Sequence, residues 1–448
     1  MKTNKEFVKE ITKLSLPLGL QMMVSNIVSL IDNIMIGSLG EAAMSAVAIC
    51  VAYQWLAVSL VYSVSAGALI IGSQYYGTGD TNRIKKLMSF SIFVSLIYTA
   101  FNFILSTFFP SKIISTYTNI ESVIPLGAEY LSILKYSFLF YAISETIIII
   151  LLSVKSVKVG LRISLVSCLT NLTLDFLLIN GNLGFPALGI KGAAIGTTAS
   201  RFVEMALAVY YLLHKEEVLD FKLKDFKITF DSNLMKQLFK VTLPLFIIDL
   251  LENFLSSAQT MITGRISENY LSANSIVHNS WELPAVFCRG AASAAAVIMG
   301  NSLGKKDFVE AKKDSKRIIY TGLVLGLACS ISVQIILNIT LPFYDNISKD
   351  TEHLARLMSY ACSFNVIFIS LDKIINNGII NAGGKTKKVL YADLISNWFV
   401  AIPLGYLGAF VFKFHPAIIY LFLRIGYLIK TIFGLINVKK ETYLHSLT

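Results

Sequence analysis

Residues 15–86 recur later in the same chain at a constant spacing of 227 positions. The first copy opens Ser15-Leu16-Pro17-Leu18 and passes through Ser29-Leu30-Ile31-Asp32. It reaches Gly37-Ser38-Leu39-Gly40-Glu41-Ala42-Ala43-Met44-Ser45-Ala46. The second copy opens Thr242-Leu243-Pro244-Leu245 and reaches Gly264-Arg265-Ile266-Ser267-Glu268-Asn269-Tyr270-Leu271-Ser272-Ala273. Gly77 then falls opposite Gly304, Asp80 opposite Asp307, and Lys85-Lys86 opposite Lys312-Lys313, with no gap. A chain that repeats itself in this way folds as two versions of one unit. In an apolar chain, a duplicated unit is the mark of transporters whose pathway runs between two related halves.

Hydropathy says what the unit is. The chain is 55% hydrophobic and 15% charged, with a mean hydropathy of +0.65, whereas a soluble domain carries about a quarter charged residues. A spanning helix needs about 20 mostly apolar residues. Twelve such stretches occur, at 15–38, 46–74, 88–110, 129–153, 162–181, 190–213, 238–262, 273–301, 318–343, 356–381, 389–411 and 415–437. The expectation is an all-α integral membrane protein of twelve transmembrane helices. It has two six-helix lobes related by pseudo-twofold symmetry, 1–213 and 238–448, joined by a cytoplasmic linker over 214–237. An even number of spans per copy makes the repeats parallel, with a central cleft between the lobes.

The net charge of +11 raises the question of nucleic acid, and the distribution of the charge answers it. With the N-terminus inside, 28 lysines and arginines fall in inner segments and six in outer loops. That bias puts both termini in the cytoplasm of a multi-pass cell (plasma or inner) membrane protein. The basic residues follow one lipid face, so no nucleic acid is expected. The N-terminal segment lacks the apolar core and cleavage site of a signal peptide. The five cysteines sit in apolar stretches without metal-ligand spacing. No enzyme signature is present: Gly77-Thr78-Gly79-Asp80 lacks the ending of a phosphate-binding loop and, like Gly304-Lys305-Lys306-Asp307, reads as a turn. With no nucleotide-binding domain, energy must come from an ion or substrate gradient, and no cofactor is expected. One chain with two lobes suffices for a pathway, so a monomer is expected.

Ionisable side chains at membrane depth are costly unless they face a cavity or a partner. They are therefore the candidates for function: Asp32, Glu145 and Asp175 in the first half, and Glu252, Glu282 and Asp372 in the second. Asn171 and Asp175, four apart, share one face of helix 5. Together with Asp32 and a hydroxyl from Thr197 or Thr198, they offer the oxygen ligands that a hard cation such as Na⁺ takes. Desolvated carboxyls can equally carry protons. The competing reading is a structural hydrogen-bond cluster fixing helices 1 and 5. Pro17 can bend helix 1. Glu282, between Trp281 and Pro284, reads as a helix break lining the cleft. Asp249 is a candidate partner of Glu252, and Arg201 of Glu204. The acids differ between halves, so one lobe is expected to hold the main cation site.

At these residues the chain resembles the multidrug and toxic compound extrusion (MATE) transporters. The likeness rests on Pro17 with Gln21, on Asp32-Asn33-Ile34-Met35-Ile36-Gly37 with Gly40, and on Gly72-Ser73-Gln74-Tyr75-Tyr76-Gly77 with Asp80. Its most specific part is Asn171-Leu172-Thr173-Leu174-Asp175 with Gly181, followed by Leu188-Gly189-Ile190-Lys191-Gly192-Ala193-Ala194-Ile195-Gly196-Thr197. Pro244 with Glu252, and Asp372 six residues before Gly378, are similar to the NorM-like branch. The least similar stretch is Phe412-Lys413-Phe414-His415-Pro416. The resemblance implies export of amphipathic, drug-like organic cations in exchange for Na⁺ or H⁺. It also implies a cation site at Asp32, Asn171 and Asp175 and a second at Glu252 and Asp372. The rival within the superfamily is a flippase for a lipid-linked saccharide, which would want arginines at cleft depth; here carboxylates dominate. A channel or sensor would need a filter loop or a soluble domain, and neither is legible.

Overall fold

The protein is described by a computed structural model covering residues 3–228, 231–344 and 348–448. Twelve long helices carry the chain: α1 (Asn4–Gly37), α2 (Glu41–Thr78), α3 (Thr81–Phe108), α4 (Val123–Ser153), α5 (Val157–Leu178), α6 (Ile190–His214), α7 (Ser232–Gly264), α8 (Glu268–Gly304), α9 (Phe308–Thr340), α10 (Lys349–Gly383), α11 (Thr386–Val411) and α12 (Pro416–Lys439). A short helix, Pro110–Ser115, precedes α4, and no strand occurs among the described residues. Ten of the twelve are long and apolar enough on their own to cross a membrane. The exceptions are α6, which carries Arg201 and Glu204, and α7, which carries Asp249 and Glu252. These charges lower the local hydropathy.

The repeat extends through all six helix pairs. Adding 227 to the bounds of α2 gives 268–305, against Glu268–Gly304 for α8. The same shift predicts the start of every other second-half helix to within two residues. Several helices begin earlier than their apolar stretches, because capping residues rather than hydropathy set where a helix starts. The Asp80 side chain accepts from the Arg83 amide at the head of α3, and Asp307 accepts from Glu310 at the head of α9. The turn before each cap needs a left-handed residue. Gly79 supplies it at φ +77° in the first copy and Lys306 at φ +57° in the second. Asp80→Ala and Asp307→Ala should each destabilise by about 1 kcal/mol, read as matching small losses in melting temperature.

The ends of α2 and α8 cross reciprocally. A Cβ on Gly77 would run into the Asn301 backbone, and one on Gly304 into the Gln74 backbone. A Cβ on Gly300 would meet Ser73 Cβ at 2.6 Å. Under the 227 shift the first two pairs exchange with one another, and Ser73–Gly300 maps onto itself. This local crossing is therefore twofold about the Ser73–Gly300 pair, and glycine is required where backbone meets backbone.

The chain packs as two compact units: residues 1–20, 73–78 and 240–448 in one, 21–72 and 79–239 in the other. In the first, Arg317 lies 5.5 Å over the Phe7 ring, and a core of Tyr270, Cys288, Cys329, Met358 and Tyr420 is buried. In the second, Cys50, Tyr53, Leu131, Phe138 and Ala194 form the core. The cysteines are accordingly small buried residues, Cys168 less completely than the others. The segment after α6 docks on α3. Lys85 Nζ donates to the Asp220 carbonyl at 2.7 Å and to Asp225 Oδ2 at 3.1 Å, and Ser89 Oγ donates to the Asp225 carbonyl at 2.6 Å. Burial alone would raise the Asp225 carboxyl, but the Lys222 amide and the Lys85 ammonium outweigh it and hold it below the usual carboxylate range.

Candidate functional site

In the second unit, α6 lies against α5 along a stripe of small residues. A Cβ on Gly192 would sit 2.6 Å from the Leu178 carbonyl carbon. One on Gly196 would sit 3.0 Å from Asp175 Cγ, with Oδ1 nearer still. The absent side chains let the α6 backbone cover the Asp175 carboxyl. Asp175 and Asn171 project from one face of α5, as their spacing predicts, and Asn171 Nδ2 donates to Asp175 Oδ2 at 3.0 Å. Asp32, from α1, brings its carboxyl within hydrogen-bonding reach of Asp175. Asp175 is 1% exposed, and Oδ1 of each aspartate lacks a hydrogen-bond donor. No lysine, arginine or histidine among the described residues forms an ion pair with either. Two carboxyls so placed need a proton or a cation between them.

Of the two hydroxyls considered, Thr198 Oγ1 donates to the Ile133 carbonyl at 3.2 Å. Thr197 is approached instead by the Tyr130 hydroxyl, which lies near Asp32 and Asp175. Tyr130 carries no mark in the sequence that separates it from the other tyrosines. Only packing reveals it. No group of three or more His, Cys, Asp or Glu suited to a metal occurs among the described residues. The oxygen set here, two carboxylates and an amide, is of the kind that hard cations take. Glu145 belongs to a separate group, beside Tyr141, Arg201 and Glu204. The expected Arg201–Glu204 pair is present at 2.6 Å.

The acids of the other unit are engaged differently. Glu252 pairs with Lys373 at 2.9 Å, rather than with Asp249. Asp372 pairs with Lys430 at 3.2 Å, and Lys430 also reaches Asp393 at 3.0 Å. Each acid expected to form a second cation site therefore already has an ammonium against it. Glu282 is tied to Arg289, and α8 runs unbroken through Pro284, so the expected helix break is absent. The preceding carbonyls that proline leaves without a donor are tolerated inside a long packed helix. Pro17 likewise sits within a continuous α1.

Asp393 and Lys430 are the residues that sequence reading missed. Lys430 counts there as a charge on the inner face, yet it is 3% exposed within α12. A signal existed. Asp372–Asn376 and Asp393–Asn397 repeat, in reverse order, the four-residue spacing of Asn171–Asp175. Lys430 is flanked at the same spacing by Gly426 and Gly434.

The MatE family pattern matches residues 17–177 and again 244–407, two segments that begin 227 positions apart. Among curated proteins, the chain is 24% identical over 427 residues to a probable multidrug resistance protein NorM of Thermotoga maritima, covering 91% of this chain and 89% of that one. It is 24% identical to the multidrug resistance protein MdtK of Photorhabdus laumondii over 422 residues, 90% and 88% of the two chains. Among solved structures, the bent form of the Vibrio cholerae MATE transporter VcmN superposes with a TM-score of 0.85 at 16% identity, covering 99% of both chains. A MOP superfamily transporter from Pyrococcus furiosus gives 0.87 at 17%, covering 97% of this chain and 95% of that one. These likenesses fix the fold as the twelve-helix MATE fold. A family pattern found in both halves of a chain of twelve long helices, together with the NorM and MdtK relatives, identifies this protein as a NorM-like member of the MATE family of multi-pass membrane transporters.

Proposed function

We propose that the protein is a secondary antiporter that exports amphipathic, mostly cationic organic compounds across the cell membrane in exchange for Na⁺ or H⁺. The relatives named for multidrug resistance support the substrate class. The observation that carries the coupling role is the Asp32–Asp175 pair: two carboxyls facing each other with no basic side chain paired to them. A bound cation or proton neutralises the pair. Asn171, Thr197 and Tyr130 would complete the polar wall. The other half supplies lysines to its own acids, so the first half is the better place for an exchangeable ion. Pro17 removes a backbone hydrogen bond from α1, the helix that carries Asp32, and so lets ion binding alter α1. The driving ion and the exported compound must prefer different conformations, because a ligand shifts an equilibrium only by its differential affinity. Both termini lie in the cytoplasm in this reading, one chain suffices, and no cofactor takes part.

Everted vesicles loaded by separate Na⁺ and H⁺ gradients test the proposal. Uptake of a cationic dye should follow one imposed gradient and collapse with the matching ionophore. Uptake indifferent to both would overturn antiport.

A further inference from the structure

In the first unit, Asp372 and Asp393 stand on π-helical stretches of chain, 372 at the head of Lys373–Ile380 and 393 at the head of Leu394–Ala401. Such widened turns recur at functional sites. The two carboxylates converge on one ammonium. Lys430 Nζ lies 3.2 Å from Asp372 Oδ2 and 3.0 Å from Asp393 Oδ1, with the Tyr427 ring centroid at 4.6 Å. Two amides also hold the carboxylates: Asn376 Nδ2 donates to Asp372 Oδ1 at 2.7 Å, and Asn397 Nδ2 donates at 2.8 Å to Asp393 Oδ1, the oxygen that Lys430 also contacts. Lys430, Asp372, Asp393 and Asn376 are all at most 3% exposed.

Two features separate this trio from an ordinary structural ion pair. It carries two carboxylates for one ammonium, and the adjacent Glu252–Lys373 pair is balanced and lends no charge. It is also rich in unused acceptors: Asp393 Oδ2 and Asn376 Oδ1 are buried with no hydrogen-bond partner. The helix that delivers the lysine is cut away around it. Gly426 and Gly434 lie one turn to either side, and a Cβ on Gly434 would meet Ile375 Cγ2 at 2.7 Å. What surrounds Nζ is one oxygen from each carboxylate and an aromatic face, two formal negative charges around one positive. An ammonium and a potassium ion are nearly the same size.

We propose that Lys430 is a tethered cation, permanently filling a monovalent-cation site formed by Asp372 and Asp393, so that this half holds no exchangeable ion until the lysine is removed. Taking away the ammonium leaves a buried acidic pair that is strongly destabilising unless a free ion replaces it. An ion that binds the folded state alone raises its stability in proportion to occupancy.

The test uses full-length protein in detergent, in an Asp32→Asn background that silences the first-half carboxyl pair. Melting temperature is measured in NaCl, KCl and choline chloride at constant ionic strength. The background protein should respond alike to all three salts. Adding Lys430→Ala should produce a saturable rise of about 3 °C or more in NaCl or KCl over choline. Adding Asp393→Asn as well should remove it. Lys430→Met, which keeps most of the stem and drops the charge, repeats the measurement if the alanine variant is poorly folded. A folded Lys430 variant that melts identically in the three salts overturns the proposal, as does a shift that survives Asp393→Asn. Lys430 variants recoverable in none of the salts count equally against it, because a free cation should stand in for the ammonium.

Discussion

Asp32→Asn should abolish ion-driven export while leaving the protein folded and in the membrane. Asparagine keeps the shape of the side chain and removes the charge that a driving cation would meet. Asp32 is only partly buried, so the exchange strands no fully enclosed group. Losing one partner of a desolvated charge interaction costs a binding event about 2–5 kcal/mol, which corresponds to a fall of roughly 30-fold or more in coupled transport, at about 1.4 kcal/mol per tenfold. Dye efflux from cells or proteoliposomes, normalised to membrane-inserted protein, reads the effect. Full efflux in this variant would remove Asp32 from the mechanism and leave the carboxyl pair as packing alone.

Gly196→Ala should be the most damaging small change away from the carboxyls themselves. Its new methyl group would collide with the Asp175 carboxyl, which Asn171 already holds from the other side. Either α6 moves off α5 or Asp175 rotates away from Asp32. Overpacking of this kind costs about 1–3 kcal/mol. Here the displaced atom is the proposed ion ligand, so transport should fall much further than stability. A variant with a near-native melting temperature and near-native efflux would mean that the carboxyl pair tolerates displacement. Gly264→Ala is the control: a Cβ there meets nothing within 4 Å, and export should be unchanged.

The legible part of this site was the part with local periodicity. Asn171 and Asp175 declare a shared helix face by their spacing, Arg201 and Glu204 declare a pair, and Pro17 declares a missing backbone donor. Asp393 and Asn397 share the same four-residue spacing, but α11 carries no second acid beside them, and the partner Lys430 lies 37 positions further on. Hydropathy and charge counts put Lys430 on the inner face because they locate a lysine along the chain and not in depth. A long cationic side chain near a helix end normally extends to the lipid surface. This one turns inward because two carboxylates wait there and two glycines clear its way. Glu282 failed as a marker of a broken helix because Pro284 sits inside a long packed helix, whose neighbours compensate for a lost hydrogen bond.

The duplication, the all-helical membrane architecture and the family can all be read along the chain, because repeats, apolar runs and capping residues are written locally and a bilayer leaves the backbone few alternatives to helix. Which acids stand together and which already face an ammonium emerges only in the folded chain. Pairing across helices depends on how backbones approach at Gly196, Gly426 and Gly434, and that distance is set by packing between segments far apart in the chain.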